Sequence, residues 1–330
     1  MQIIDQYKDI PKDARGAVVV IGNFDGVHRG HAEVIARARE IATGLVAPLG
    51  VMSFEPHPRE FFAPDAPSFR LTTKETKARL LERLGVNVVF TLPFDGDLAS
   101  KSAAEFVNEV LNQGLGLAHV VVGFDFCFGK GRKGNTDLLA KMGKELGFGV
   151  TVIDPVVAKS SSDEIIYSST QIRDALREGR CEDAAALLGH WWTIEGEVIQ
   201  GDQRGRTIDF PTANIAMGRY LHPAHGVYAI KAEVLSGPHA GIYDGVANLG
   251  RRPTFDKKDV LLESFLFDFD GDIYGAEVAV SLIGFIRAEQ KFDGLDALKA
   301  QIAKDSLKAA DSLAALKANP QNVPWSGQET

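Results

Sequence analysis

Two histidines three residues apart, His28 and His31, lie just past a β-branched apolar run, Ala17 to Ile21. The run breaks at Gly22, and a loop from Asn23 to Val27 leads into a segment from Ala32 to Ala42. In that segment Val34, Ile35, Ala38 and Ile41 share one face, so the stretch reads as strand, loop and helix start. Such a junction aims backbone N–H groups and the positive end of a helix dipole at whatever sits above the strand, which favours a phosphate. Two imidazoles beside it can donate hydrogen bonds and stabilise charge that grows during group transfer. The same residues admit a solvated turn, or a pair of metal ligands at a helix start. Further on, Gly201 to Asn214 forms a glycine-bearing loop with Arg204 and Arg206, followed by Thr212 and Asn214. In an extended segment that spacing puts both side chains on one side. A hydroxyl and an amide carbonyl are hard oxygens suited to Mg²⁺; a turn followed by an edge strand is the plainer reading. A third group, Ser168-Ser169-Thr170 with Arg173, reads as a helix cap, or as hydroxyls and a cation placed to hold triphosphate oxygens.

These groups need elements to position them. In the first half, strand patterns at Ala17–Ile21, Leu49–Phe54, Asn87–Leu92, His119–Val122 and Gly149–Ile153 alternate with helical ones. Thr72-x-x-Glu75 and Ser102-x-x-Glu105 read as capping boxes, with Gly85 and Gly114 where those helices should stop. Repeated βα units imply a Rossmann-like, doubly wound parallel sheet whose ligands bind beyond the carboxyl ends of the strands. Three loops then share one rim: Gly22 to His31, Phe54 to Phe62, and Gly123 to Gly134. The second, Phe54-Glu55-Pro56-His57-Pro58-Arg59-Glu60-Phe61-Phe62, is stiffened by two prolines. Its aromatics either stack on a planar ring or anchor a rigid loop. The third holds aromatics and three basic residues. Its Gly129, Gly131 and Gly134 spacing is too far from the strand for a dinucleotide fingerprint, and Asn135 stands where a P-loop needs lysine.

From Thr193 the texture changes to short alternating segments separated by glycine-rich turns: Thr193–Ile199, Gly226–Leu235, Asp244–Leu249, Leu261–Phe269 and Glu277–Phe285. That pattern implies an antiparallel β-barrel, closed off by a terminal helix carrying Leu295, Leu298, Ile302, Leu307, Leu313 and Leu316. Residues 319–330 read as a loose tail.

At 330 residues, 45% hydrophobic and 24% charged, the chain has room for two globular domains. A net charge of −8 argues against a general nucleic-acid binder. No apolar run is long enough to span a bilayer, and the charged start, with Asp5, Lys8, Asp9, Lys12 and Asp13, is no secretory signal. Two cysteines, Cys127 and Cys181, are too few for a disulfide framework and fit a reducing compartment, so the cytoplasm is expected.

His28-x-Gly30-His31 after a first strand resembles the HxGH signature of the adenylyltransferase superfamily, and with Gly22 to Val27 ahead of it the FAD synthetase branch. Pro211-Thr212-Ala213-Asn214 resembles the PTAN motif of riboflavin kinases. Gly226-Val227-Tyr228, the run Gly245 to Phe255, Glu263, and Asp268 to Gly275 extend the likeness. Together they resemble the bacterial bifunctional riboflavin kinase/FAD synthetase family over nearly the whole chain, in the family's domain order. The resemblance implies a nucleotidyltransferase-type first domain, residues 1–187, and a riboflavin kinase domain, residues 188–318. It implies that ATP is held in the first domain by Gly22, Asn23, Phe24, His28, His31, Ser168, Ser169, Thr170 and Arg173. Flavin there would meet Phe54, Pro56, His57, Pro58, Phe62, Asp125, Phe126 and Phe128. In the kinase, ATP would meet Gly201, Gly205, Arg206, Pro211, Thr212 and Asn214, flavin would meet Asn248 and Arg252, and Thr212 and Asn214 would hold Mg²⁺. Glu263 would be the general base for the ribityl hydroxyl, although by itself a glutamate in a strand equally suits a salt bridge. The implied partners are riboflavin, FMN and ATP, without nucleic acid or membrane; a homo-oligomer is left open. Cys127, Asp209 and Phe265 depart from the arginine, glycine and histidine frequent at those places, and Asp209 is expected to face away from the triphosphate. Two alternatives stay open: a kinase with an inactive first domain, and a flavin-binding regulator without catalysis.

Overall fold

The structure is a computed structural model that describes residues 1–159, 164–200, 212–251 and 260–318. The chain forms two compact units, one of residues 1–66 and 74–167, the other of residues 67–73 and 168 onward.

The first unit is built on six parallel strands, β1 (Gln2–Ile4), β2 (Val18–Ile21), β3 (Leu49–Glu55), β4 (Val88–Pro93), β5 (His119–Gly123) and β6 (Gly149–Ile153), in the order β1-β4-β3-β2-β5-β6. The valine and isoleucine runs are buried on both faces, as a sheet covered by helices on each side requires. One face packs Val19, Ile21, Met52 and Phe90 against Val107 and Leu111; the other packs Val18, Val20 and Val51 against Ile35 and Ala38. Five strands fall within a residue or two of where their patterns place them. The sixth, β1, is only three residues long and pairs with β4 at the edge, too short for any period to show.

The helices are α1 (Arg29–Leu45), α2 (Pro58–Phe62), α3 (Lys74–Arg83), α4 (Gly96–Ser100), α5 (Ala103–Glu105, continued by a wider turn over Phe106–Gly114) and α6 (Thr136–Leu146). The box at Ser102 and Glu105 forms in both directions. Helix α3 starts at Lys74, which makes Thr73 rather than Thr72 the residue before its first turn. Strand order reverses between β2 and β5, and such a switch point opens a crevice at the strands' carboxyl ends. The loops that begin at Gly22 and Gly123 leave the sheet there. A short hairpin, β7 (Val157–Lys159) and β8 (Glu164–Ile166), follows.

The second unit opens with α7 (Ser169–Arg177) and α8 (Cys181–Leu188) and continues as an antiparallel sheet. Its strands are β9 (Thr193–Glu197), β10 (Ala213–Ala216), β11 (Gly226–Val234), β12 (Gly241–Arg251), β13 (Val260–Leu266) and β14 (Glu277–Ala288), in the order β10-β13-β12-β11-β14-β9. A bridge between Ile199 and Asn214 brings the two edges together, so the sheet closes toward a barrel. Its interior is filled by Ile194, Ile215, Tyr228, Ile230, Leu249 and Leu262. Helix α9 (Leu295–Ala318) covers part of the outside through Ala309 and Leu313, which meet Trp191, Val227, Ala229 and Val246. Residues 67–73 belong to this unit: the Trp192 indole donates to the Leu71 carbonyl at 2.8 Å, and Leu71 is wholly buried in the barrel's core cluster. By packing, then, the unit takes in residues 168–187 as well as those from 188 onward.

Candidate active sites

At the β2–α1 junction the backbone is wound tightly. Phe24 (φ 50°), Gly26 (φ 87°) and Val27 (φ 42°) all take left-handed conformations. For a β-branched residue such as Val27 this is a strained state that only surrounding structure can hold. His28 caps α1 reciprocally with His31: each ring's Nδ1 accepts the other residue's backbone N–H, both at 3.3 Å. Since its Nδ1 acts as an acceptor, the ring proton of the neutral His31 sits on Nε2, where it can donate. The rings stack at 3.6 Å between centroids, and Phe24 leans on His31 at 5.0 Å. Burial, then the neighbouring His28 and the Lys77 charge, push the His31 pKa well below its ordinary value. His31 therefore stays neutral and donates a hydrogen bond without presenting a full cation. A Cβ on Gly30 would come within 3.1 Å of the His28 ring and 3.0 Å of the Tyr167 Cβ, so only glycine lets the stacked pair stand where it does.

On the second rim loop, Phe54, Phe61 and Phe62 gather around Phe94 with edge-on ring contacts of 5.4 to 5.7 Å. Phe62 remains 69% exposed, an apolar surface suited to a planar ring. Pro56 and Pro58 flank His57, whose Nδ1 accepts the Arg59 N–H and caps α2. On the third loop Asp125 is exposed and Phe126 is half-buried, stacking on Phe128 at 5.3 Å. Phe128 itself is buried in the core against Phe106, so it supports the loop from below instead of facing the rim.

Ser168, Ser169, Thr170 and Arg173 fall in the second unit. Ser168 caps α7 through the Gln171 N–H at 3.3 Å. Arg173 donates its Nε to the Phe69 carbonyl at 2.9 Å and lays its guanidinium over the Phe69 ring.

In the barrel, register does what sequence spacing cannot. Asn214 on β10 pairs with Glu263 on β13, Glu263 pairs with Asn248 on β12, Asn248 with Val227 on β11, and Val227 with Arg287 on β14. Directly paired residues project to the same face, so these five lie in one row on the barrel's outer side. Asn214 is buried and its Nδ2 donates to the Thr212 carbonyl at 3.2 Å. That bond commits the amide nitrogen and leaves Oδ1 to accept. With the Thr212 hydroxyl it forms a pair of neutral oxygens that fits a hard divalent cation. Beside Asn248, the Glu289 carboxylate lies so close to Gly250 that a Cβ there would clash with it. A cavity of about 450 Å³ opens next to Thr212, walled by Val198, Leu266, Phe269, Ile273 and Tyr274 and carrying Asp270 and Asp272. Phe265 packs edge-on to Phe267 at 6.0 Å, so the departure there is filled by an aromatic contact. Gly201, Gly205, Arg206, Asp209, Pro211 and Arg252 lie outside the described residues.

Two groups near these sites escape sequence reasoning. Lys77 is buried on α3 and its charge reaches His31, yet in the sequence it is one lysine in an amphipathic helix. Arg287 joins the Glu263 row only through strand register, and it binds the buried Asp305 of α9 through Nε (2.9 Å) and Nη2 (2.7 Å). An arginine in a strand and an aspartate on an apolar helix stripe are the signal that could have found that pair.

A doubly wound sheet with paired imidazoles at its switch point, joined to a nearly closed barrel with an amide and a carboxylate in register beside a hydroxyl, defines a two-domain transferase. The FAD synthetase family model matches residues 10–170 and the riboflavin kinase family model residues 188–313. The bifunctional riboflavin kinase/FMN adenylyltransferase of Escherichia coli strain K12 is 43% identical over 90% of this chain and 92% of its own. Those of Pseudomonas fluorescens and Bacillus subtilis are 40% and 39% identical, covering 97% and 91% of this chain and 100% and 93% of theirs. A solved Streptococcus pneumoniae structure described as a macrolide-efflux protein superimposes with a TM-score of 0.78 at 33% identity, over 92% of this chain and 96% of that one. Among the described residues no helix is long and apolar enough to cross a membrane. The chain belongs to the bifunctional riboflavin kinase/FMN adenylyltransferase family and carries both of its catalytic domains.

Proposed function

We propose that riboflavin is phosphorylated to FMN on the outer face of the barrel and that FMN is adenylylated to FAD at the β2–α1 junction. The first domain is assigned to residues 1–187 and the kinase to 188–318, in line with the two family matches. The observation that carries the kinase reading is the row Asn214, Glu263, Asn248, with Thr212 at its edge. Glu263 accepts the proton of the attacking ribityl hydroxyl, which displaces ADP from the γ-phosphoryl group of ATP; this chemistry asks mainly for positioning and charge screening. Thr212 and Asn214 would hold Mg²⁺ through Oγ1 and Oδ1. Bound there, the ion would screen the charge of the ATP phosphates.

In the first domain the FMN phosphate attacks the α-phosphorus of ATP and releases pyrophosphate, with no covalent enzyme intermediate. His28 and His31 donate from Nε2 to phosphate oxygens, and the strained Phe24–Val27 loop brings backbone N–H groups close to them. Asn23 and Gly22 line that loop. Ser168, Ser169, Thr170 and Arg173 are assigned to the ATP phosphates, and the exposed Phe62 with Phe54, Pro56, His57, Pro58, Asp125 and Phe126 to the flavin. The two unpaired cysteines support a reducing, cytoplasmic compartment for the enzyme.

The metal assignment is tested by the Mg²⁺ dependence of riboflavin phosphorylation. An Asn214→Leu variant should need at least tenfold more Mg²⁺ for half-maximal rate, while the Mg²⁺ dependence of FAD formation from FMN stays put. An unchanged requirement in the kinase reaction removes Asn214 as a ligand.

A further inference from the structure

We propose that Ser264 is a contact residue for the purine ring of ATP in the kinase site; the inference rests on the kinase reading above. Strand β13 alternates: Glu263 and Phe265 face outward, while Leu262, Ser264 and Leu266 face inward. On the inner side Ser264 is paired with Ala213 on one neighbouring strand and Ala247 on the other. Neither of these paired neighbours offers the hydroxyl a polar side chain.

Ser264 is 1% exposed and its Oγ has no hydrogen-bond partner among the described residues. Elsewhere in the same barrel even half-buried hydroxyls find one: Thr193 Oγ1 and Ser281 Oγ are 2.8 Å apart. An unsatisfied buried hydroxyl loses its water without compensation, so its retention calls for a ligand that completes it.

Ser264 lines the cavity of about 450 Å³ that also carries Thr212, a size ordinary for a small-molecule site. The apolar walls, Val198, Leu266 and Ile273, suit a flat ring better than a charged or polyhydroxylated group. Asp270 and Asp272 repel phosphate oxygens and accept from an amino group. Charge therefore sends the triphosphate toward Thr212 and the base into the walled space, where a ring nitrogen can accept from Ser264.

The test is steady-state riboflavin phosphorylation by the full chain. Ser264→Ala should raise KM for ATP about five- to tenfold, the usual worth of one such bond, with kcat and the KM for riboflavin within twofold of the parent. Ser264→Thr, which keeps the hydroxyl, should restore the parental KM. The thermal midpoint of Ser264→Ala without nucleotide should not fall, since the change removes an unsatisfied group. The penalty should persist with 2′-deoxyATP; its disappearance there would move the contact to the ribose and overturn the base assignment. An ATP KM within twofold of the parent in Ser264→Ala also overturns the inference. Ala213→Leu, which fills the cavity, separates the two levels. If it raises the ATP KM while Ser264→Ala does not, Ser264 alone is excluded. If neither changes it, the cavity is not the nucleoside site and the kinase reading of it fails too.

Discussion

The two histidines of the first domain cap the start of α1 reciprocally, and their rings stack on each other. His31 is half-buried and stacked on His28, and desolvation, then His28 and the Lys77 charge, keep it neutral in the folded state. In the unfolded chain it would protonate near its ordinary pKa of about 6.5. A folded pKa below the unfolded one means that the stability tied to this group is complete above about pH 6.5 and is lost as pH falls toward the folded value. His119, also lowered by burial, adds in the same direction. His31→Gln should therefore make the acid-side fall of the thermal midpoint between about pH 7 and pH 5 shallower than in the parent. An equally steep fall would mean His31 is not held neutral. The same variant should lose about 10²–10³-fold in FAD formation, the scale of one preorganised donor. Glu263→Gln should cost riboflavin phosphorylation about 10²–10⁴-fold, the range of a lost general base, and leave adenylylation of added FMN intact. At this scale the sequence was most readable where function is local. His28 and His31 are three residues apart, and that spacing alone makes the reciprocal cap. Glu263 was not readable alone, because what sets it apart is its register with Asn214 and Asn248 on two other strands.

Among the elements, α1 and α9 carry the most consequence. Helix α1 starts at the His28 cap, and glycine at position 30 leaves room for the His28 ring. Gly30→Ala should displace the His28 ring and lower FAD formation at least tenfold, with the kinase rate unchanged; an unaffected rate would show that the stacked pair tolerates movement. Helix α9 is tied to the barrel by Arg287 and Asp305, whose side chains are 19% and 3% exposed, with Gln301 donating to the second carboxylate oxygen at 2.8 Å. Removing one partner leaves a buried charge alone, so Asp305→Ala should destabilise the second unit by about 3–5 kcal/mol in denaturant unfolding. A change below about 1 kcal/mol would mark the pair as solvated, like ordinary surface ion pairs. The longer strands and helices were legible from periodicity, whereas the five-residue helix α2 lies inside what reads as the second rim loop, where two prolines mask so short a turn. Strand β1 and the hairpin β7–β8 were not legible either, since three residues carry too little pattern.

The whole chain holds two chemistries on two scaffolds, and the sequence shows the change of scaffold as a change of period, from βα alternation to successive short strands. Packing adds what the period cannot show. Ile172, Leu176, Cys181 and Leu188 from α7 and α8, and Leu71 from the first half of the chain, are buried in the barrel's core cluster. A kinase fragment beginning at residue 168 should accordingly be more stable than one beginning at 188 by several kcal/mol, each buried apolar side chain being worth about 1.5–3 kcal/mol. Equal stability of the two would show that the helices rest on the barrel without supporting it. The central claim, that one polypeptide runs two separable ATP reactions, is tested most directly by separating flavin products after incubation with riboflavin and Mg-ATP. The parent should yield FAD, His31→Gln should accumulate FMN, and Glu263→Gln should leave riboflavin unconverted yet turn added FMN into FAD. FAD made from riboflavin by the His31→Gln variant at the parental rate, or loss of both reactions in either variant while it remains folded, would contradict the account.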